Sequence, residues 1–143
     1  MIERDTVLHD MVVPITPQAA FDMFFDHGGL VLSIGVGSDP PGRRGGRFQF
    51  EATPGRFCEG EYLIVERPRR VAFTFGWTHP AMGVPPGSSH VDVTFRPVDP
   101  ERRSTQLHLV HTGLDTDILR RHDEGWARFI AGLAATKRPQ RQA

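Results

Sequence analysis

Cysteine is nearly missing from this chain: Cys58 is the one thiol in 143 residues. A single cysteine excludes an intrachain disulfide, so no covalent staple marks an oxidising compartment. Net charge is missing too, because 17 basic side chains balance 17 acidic ones. That balance argues against a nucleic-acid partner held by bulk positive charge. Together with 38% hydrophobic residues, it also argues against disorder. Long hydrophobic runs do not occur. The uncharged run Gly28–Ser38 is about half the length that a bilayer-crossing helix needs, so no membrane insertion is expected. The opening MIERDTVLHD lacks the apolar stretch of a secretory signal, and a cytoplasmic location is the expectation.

Several chemical motifs are absent as well. Histidines stand at 9, 27, 79, 90, 108, 111 and 122, with no His-x₃-His or Cys-x₂-Cys spacing, so neither a metal nor a cofactor is expected. Ser88-Ser89 lacks the Gly-x-Ser-x-Gly elbow of a serine hydrolase. Gly42-Arg43-Arg44-Gly45-Gly46 leads into a strand-like segment, where a nucleotide loop would open a helix.

What is present suits one domain, large enough to bury roughly 68–70% of its unfolded surface without a metal or disulfide. Residues 1–136 read as that domain, and 137–143 as a polar, proline-containing tail expected to fray. Thr6–Val13 is a short strand. Thr16 and Pro17 then suit a helix start, as cap and first position, and Phe21, Phe24 and Phe25 share one helical face. Leu30–Gly37 is either a second short helix or a loop. Period-two segments follow: Arg47–Thr53, Phe57–Val65, Arg70–Trp77, Ser89–Val98 and Thr105–Thr112. Such alternation, with short turns between, predicts an antiparallel meander with one wet and one buried face. From Leu114 to Ala135 the period becomes helical, with Leu119, His122, Trp126, Phe129, Ile130 and Leu133 on one stripe.

The fold class expected is therefore α+β: a curved antiparallel sheet of about six strands around a long C-terminal helix, with two short helices after the first strand. Thr78–Ser88, rich in proline and glycine, is expected to be a mobile, functional or variable loop at one end of the sheet.

Several fragments resemble the activator of heat-shock-protein-90 ATPase homologue-like family. They are Gly45-Gly46-Arg47-Phe48, Gly60-Glu61-Tyr62-Leu63, Pro68–Trp77, Pro86–Ser89 leading into Val91–Phe95, His111-Thr112-Gly113-Leu114, and His122 with Gly125-Trp126. The family belongs to the START-like (SRPBCC) superfamily. The resemblance runs from about Thr6 to Leu133 and implies a helix-grip fold with a hydrophobic cavity between sheet and helix. It implies no single activity. Many relatives carry a tryptophan pair where this chain has Leu30-Val31-Leu32-Ser33-Ile34, so the cavity mouth is expected to differ.

The function expected is binding of a small hydrophobic molecule in that cavity, with no defined catalytic activity. Strand parity and the helical stripe give the lining as Phe48, Phe50, Glu61, Leu63, Phe73, Phe75, Trp77, Val93, Phe95, Leu109, His111, His122, Trp126 and Phe129. Thr78–Ser88 would gate entry, and the imidazoles would orient the guest. Two rivals remain. One is an enzyme of cyclase, dehydratase or hydrolase type with His111 as acid/base. The other is a module that binds a chaperone or regulator through Arg43, Arg44 and Arg47, as monomer or homodimer.

Overall fold

A computed structural model describes residues 2–3, 6–23, 47–53 and 55–135. The chain forms β1 (Ile2–Glu3), β2 (Thr6–Val13), α1 (Pro17–Met23), β3 (Arg47–Thr53), β4 (Arg56–Glu66), β5 (Arg70–Trp77), β6 (Ser89–Pro97), β7 (Thr105–Thr112) and α2 (Thr116–Ala135). The seven strands make one antiparallel sheet in the order β1-β2-β7-β6-β5-β4-β3. From β3 to β7 it is the expected meander; β2 then closes against β7. The seventh strand is the two-residue β1. Leu30–Gly37, where a second short helix was open, lies outside the described residues, as do Phe24 and Phe25.

Period-two patterning decides the face of most strands. Val71, Phe73 and Phe75 of β5, Val91, Val93 and Phe95 of β6, and Leu107, Leu109 and His111 of β7 are all buried. Register puts them side by side: Phe73 opposite Val91, Val93 opposite Leu109, and Val91 opposite His111. A strand exposes alternate residues to alternate faces, so this one register buries the whole set.

The β4 strand departs from its expected parity. Its register to β5 shifts between Tyr62 and Ile64: Tyr62 pairs with Phe73, yet Val65 pairs with Val71. The extra residue flips the inward parity within the strand. Before the shift Cys58 and Tyr62 are buried; after it Val65 packs on the core. Leu63, at the irregularity, is half-buried, and Glu61 is exposed. The expectation that Glu61 and Leu63 line the interior is therefore corrected, because one parity was carried through a bulge.

Thr16 caps α1 as expected, its Oγ1 accepting the Ala19 N–H at 3.0 Å. Phe21 on α1 meets Phe95 edge-on, with centroids 5.3 Å apart. The 20 residues of α2 span ~30 Å. Its buried residues Leu119, His122, Trp126 and Ile130 fall at three- and four-residue spacings. The helix lies closest to β1 and β2, where His9 Nε2 stands 3.0 Å from Asp123 Oδ1.

The 78–88 connection folds back onto the end of β5. Pro80–Met82 form a 3-10 turn capped by His79, whose Nδ1 accepts the Ala81 N–H. Val84 is buried, and its carbonyl accepts the Trp77 N–H. Gly76 permits this close return: a Cβ there would stand 2.3 Å from the Pro85 carbonyl oxygen and the Pro86 Cα. We expect Gly76→Ala to destabilise the fold by about 2 kcal/mol or more, since backbone has to move. Gly132→Ala, on an exposed helical position with open space around it, should be neutral or stabilise by roughly 0.5–1 kcal/mol. Urea unfolding of the two variants beside wild type checks both signs.

Candidate functional site

Strand parity places Phe75 and Trp77 at the end of β5, Ser89 at the start of β6 and His111 near the end of β7. The α2 stripe places His122 and Trp126 one turn apart, facing them. These six side chains meet. Phe75 sits centrally, with ring centroids 4.9 Å from His111, 6.0 Å from His122, 6.1 Å from Trp77 and 6.2 Å from Trp126. The two imidazoles lie 5.5 Å apart, nearly perpendicular. Edge-to-face packing of this kind suits rings with negative faces and positive edges.

Both tryptophans of the chain donate to a histidine. The Trp126 indole N–H donates to His111 Nδ1 at 3.0 Å, and the Trp77 indole N–H donates to His122 Nε2 at 3.0 Å. An indole N–H is a donor only, so each accepting nitrogen is unprotonated. The tautomers follow. His111 carries its proton on Nε2 and donates to Ser89 Oγ at 2.9 Å. Ser89 passes its own hydroxyl proton to the Phe75 carbonyl at 2.7 Å. His122 carries its proton on Nδ1 and donates to the Ile118 carbonyl at 3.0 Å.

Electrostatics agree with neutral rings. Burial above all, with the neighbouring His122 and His90 acting in the same direction, pushes the His111 pKa down to about 3. Burial also lowers the His122 pKa; the Ile118 carbonyl opposes the shift and Arg121 adds to it. The carboxylate that could have held His111 protonated, Glu61, is exposed. His111 is therefore no imidazolium near neutral pH and cannot serve as a general acid, and the lone pair that a general base would use is engaged by Trp126. Ser89 and His111 have the spacing of a nucleophile and base, but with the reverse tautomer: the imidazole donates to the hydroxyl and does not activate it.

The other expected lining residues are placed as follows. Phe73, Val93, Phe95 and Leu109 are buried in the sheet's inner layer. The side chains of Phe48, Phe50 and Phe129, and Arg43 and Arg44 altogether, lie outside the described residues; Arg47 is exposed. Ser89 was missed as a site residue, although it shares parity with Val91 and Val93 and could have been found that way. Tyr62 and Cys58 were missed because the bulge leaves no mark in the residue pattern. Burial pushes the Cys58 thiol and the Tyr62 phenol well up, so both stay neutral. Among the described residues no group of three or more His, Cys, Asp or Glu is placed to hold a metal ion. No described helix is long and apolar enough to cross a membrane.

The buried imidazoles give stability a pH dependence of known sign. Both folded-state pKa values lie below the unfolded value of about 6.5. Their contribution is complete above about pH 6.5 and is lost as pH falls from there towards the folded values, at up to about 1.4 kcal/mol per pH unit per histidine. We expect urea-unfolding free energies to drop between pH 7.5 and 4.5, and His111→Gln, less stable at pH 7.5, to show the shallower slope. Parallel slopes in the two proteins would mean that His111 does not titrate on unfolding.

Comparison with known proteins sets this site in a fold family. No curated protein matches the chain. Several solved structures do. CV1439 from Chromobacterium violaceum superposes with a TM-score of 0.72 at 20% identity, over 92% of this chain and 95% of that one. The Aha1 dimer from Colwellia psychrerythraea gives 0.68 at 16% identity, over 90% and 92%. DynU16, a protein in the dynemicin biosynthetic locus, gives 0.71 at 21% identity over 92% of this chain, which spans only 46% of DynU16's length. These likenesses establish the helix-grip α+β fold. A family model for Activator of Hsp90 ATPase homolog 1-like protein matches residues 34–137. That match covers well over half of the sequence, and the chain belongs to the Activator of Hsp90 ATPase homolog 1-like family.

Proposed function

We propose that this protein binds a small hydrophobic molecule between the inner face of the sheet and α2, without a defined catalytic activity. The observation that carries the proposal is the cluster of aromatic rings gathered between β5 and α2. The α2 backbone lies closest to β1 and β2, while β5 is reached across the interior by the long rings of Trp126 and His122. The inner faces of β4 and β5 carry Tyr62, Phe73 and Phe75, all buried, and the half-buried Trp77, so a flat guest would enter by parting this aromatic packing at Trp77. Burial of the guest would supply the driving force, at roughly 25 cal/mol per Å² of apolar surface. The satisfied, neutral state of His111 favours binding over acid/base catalysis.

Membership in the family supports a second reading, a protein-binding module acting on a chaperone or regulator. Exposed Arg47, with Arg43 and Arg44, would serve it.

Native mass spectrometry of freshly purified protein, followed by thermal shift with lipids, flavonoids and polyketides, tests the binding proposal. We expect at least one apolar aromatic compound to co-purify or to raise the melting temperature, and a Phe75→Trp variant, which fills the wall, to lose that response. Absence of any stabilising compound would overturn it. A partner retained by wild type and lost on charge reversal of Arg43, Arg44 and Arg47 would support the second reading instead.

A further inference from the structure

The wall formed by Trp77, His122, Phe75, His111 and Trp126 holds several polar atoms, and each is already engaged. Trp77 donates to His122, which donates to the Ile118 carbonyl. Trp126 donates to His111, which donates to Ser89, which donates to the Phe75 carbonyl. Along both chains every N–H and O–H donor is spent, and so is each imidazole lone pair. A ligand hydroxyl arriving here finds no open donor and no open imidazole nitrogen. To bond an imidazole it has to displace an indole, and that leaves a buried N–H unpaired.

We infer that the two indole–imidazole pairs act as specificity elements: they withhold their polar atoms, and so admit a ligand that presents an unsubstituted aromatic or hydrocarbon edge to this wall. The inference rests on the binding proposed above and names its substrate class. Trp77 is the more exposed of the two tryptophans and His122 is its acceptor, so this pair is the one a guest meets. Removing the indole N–H while keeping a ring leaves His122 Nε2 as an open acceptor, and the same wall then rewards a hydroxyl. The Trp126–His111 pair offers the same exchange deeper in the interior.

Calorimetric titration of the full chain with naphthalene and with 2-naphthol tests this, in wild type, Trp77→Phe and Trp126→Phe. Wild type is expected to favour naphthalene on the order of tenfold, the modest discrimination that an apolar wall achieves against an added hydroxyl. Trp77→Phe is expected to erase or reverse that preference, because the naphthol O–H donates to the vacated His122 nitrogen. Trp126→Phe does the same at His111 and decides the matter if Trp77→Phe does not fold. Equal or tighter binding of 2-naphthol by wild type overturns the inference and leaves the binding proposal standing, as does a preference unchanged in the folded variants. If neither compound binds wild type while a lipid, flavonoid or polyketide does, the inference is overturned and the binding proposal stands; if none of them binds, both are overturned.

Discussion

Two hydrogen bonds from indole to imidazole hold the interior of this protein in one arrangement. A buried histidine must satisfy two nitrogens at once, and a buried tryptophan one N–H. Leaving any of them unpaired costs about 1–3 kcal/mol. Here each indole removes a donor and an acceptor together, and the remaining imidazole protons go to Ser89 and to the Ile118 carbonyl. The result ties β5, β6, β7 and α2 through polar links inside an otherwise apolar layer. Such a network tolerates few alternative packings, because any shift of α2 along the sheet would break both pairs at once.

The same links fix how the helix meets the sheet. His122 and Trp126 lie one turn apart, so their side chains leave α2 in nearly the same direction. One reaches Trp77 on β5 and the other His111 on β7. Large rings therefore span the distance, and the helix backbone stays nearest β1 and β2. At the end of β5, Gly76 lets the 78–88 segment fold back onto the strand, and Val84 is buried as a result.

Membership in the Activator of Hsp90 ATPase homolog 1-like family fixes the architecture and leaves the chemistry to the side chains. The DynU16 and Aha1 likenesses are to proteins from different settings at about one-fifth identity or less, so neither setting transfers with the fold. In this chain that chemistry lies in the set of rings at the sheet–helix junction. Its histidines are placed as a catalytic pair would be, yet each is held in the neutral tautomer that its tryptophan dictates.

Much of the fold was legible from residues alone. Alternation in Arg70–Trp77, Ser89–Val98 and Thr105–Thr112 marked the buried faces, because a regular strand converts sequence parity directly into side-chain direction. Helical spacing marked Leu119, His122, Trp126 and Ile130 in the same way. The bulge in β4 was not legible, since one extra residue in a ladder is a property of two strands in register and not of either one's composition. Nor was the loop over Gly76, whose order depends on backbone from two segments meeting. The sequence by itself determined most of the inward-facing residues of β5, β6, β7 and α2, His111 and His122 among them. Only the tertiary structure decided what those histidines can do, because a tautomer and a pKa depend on the neighbours that folding brings within hydrogen-bonding distance.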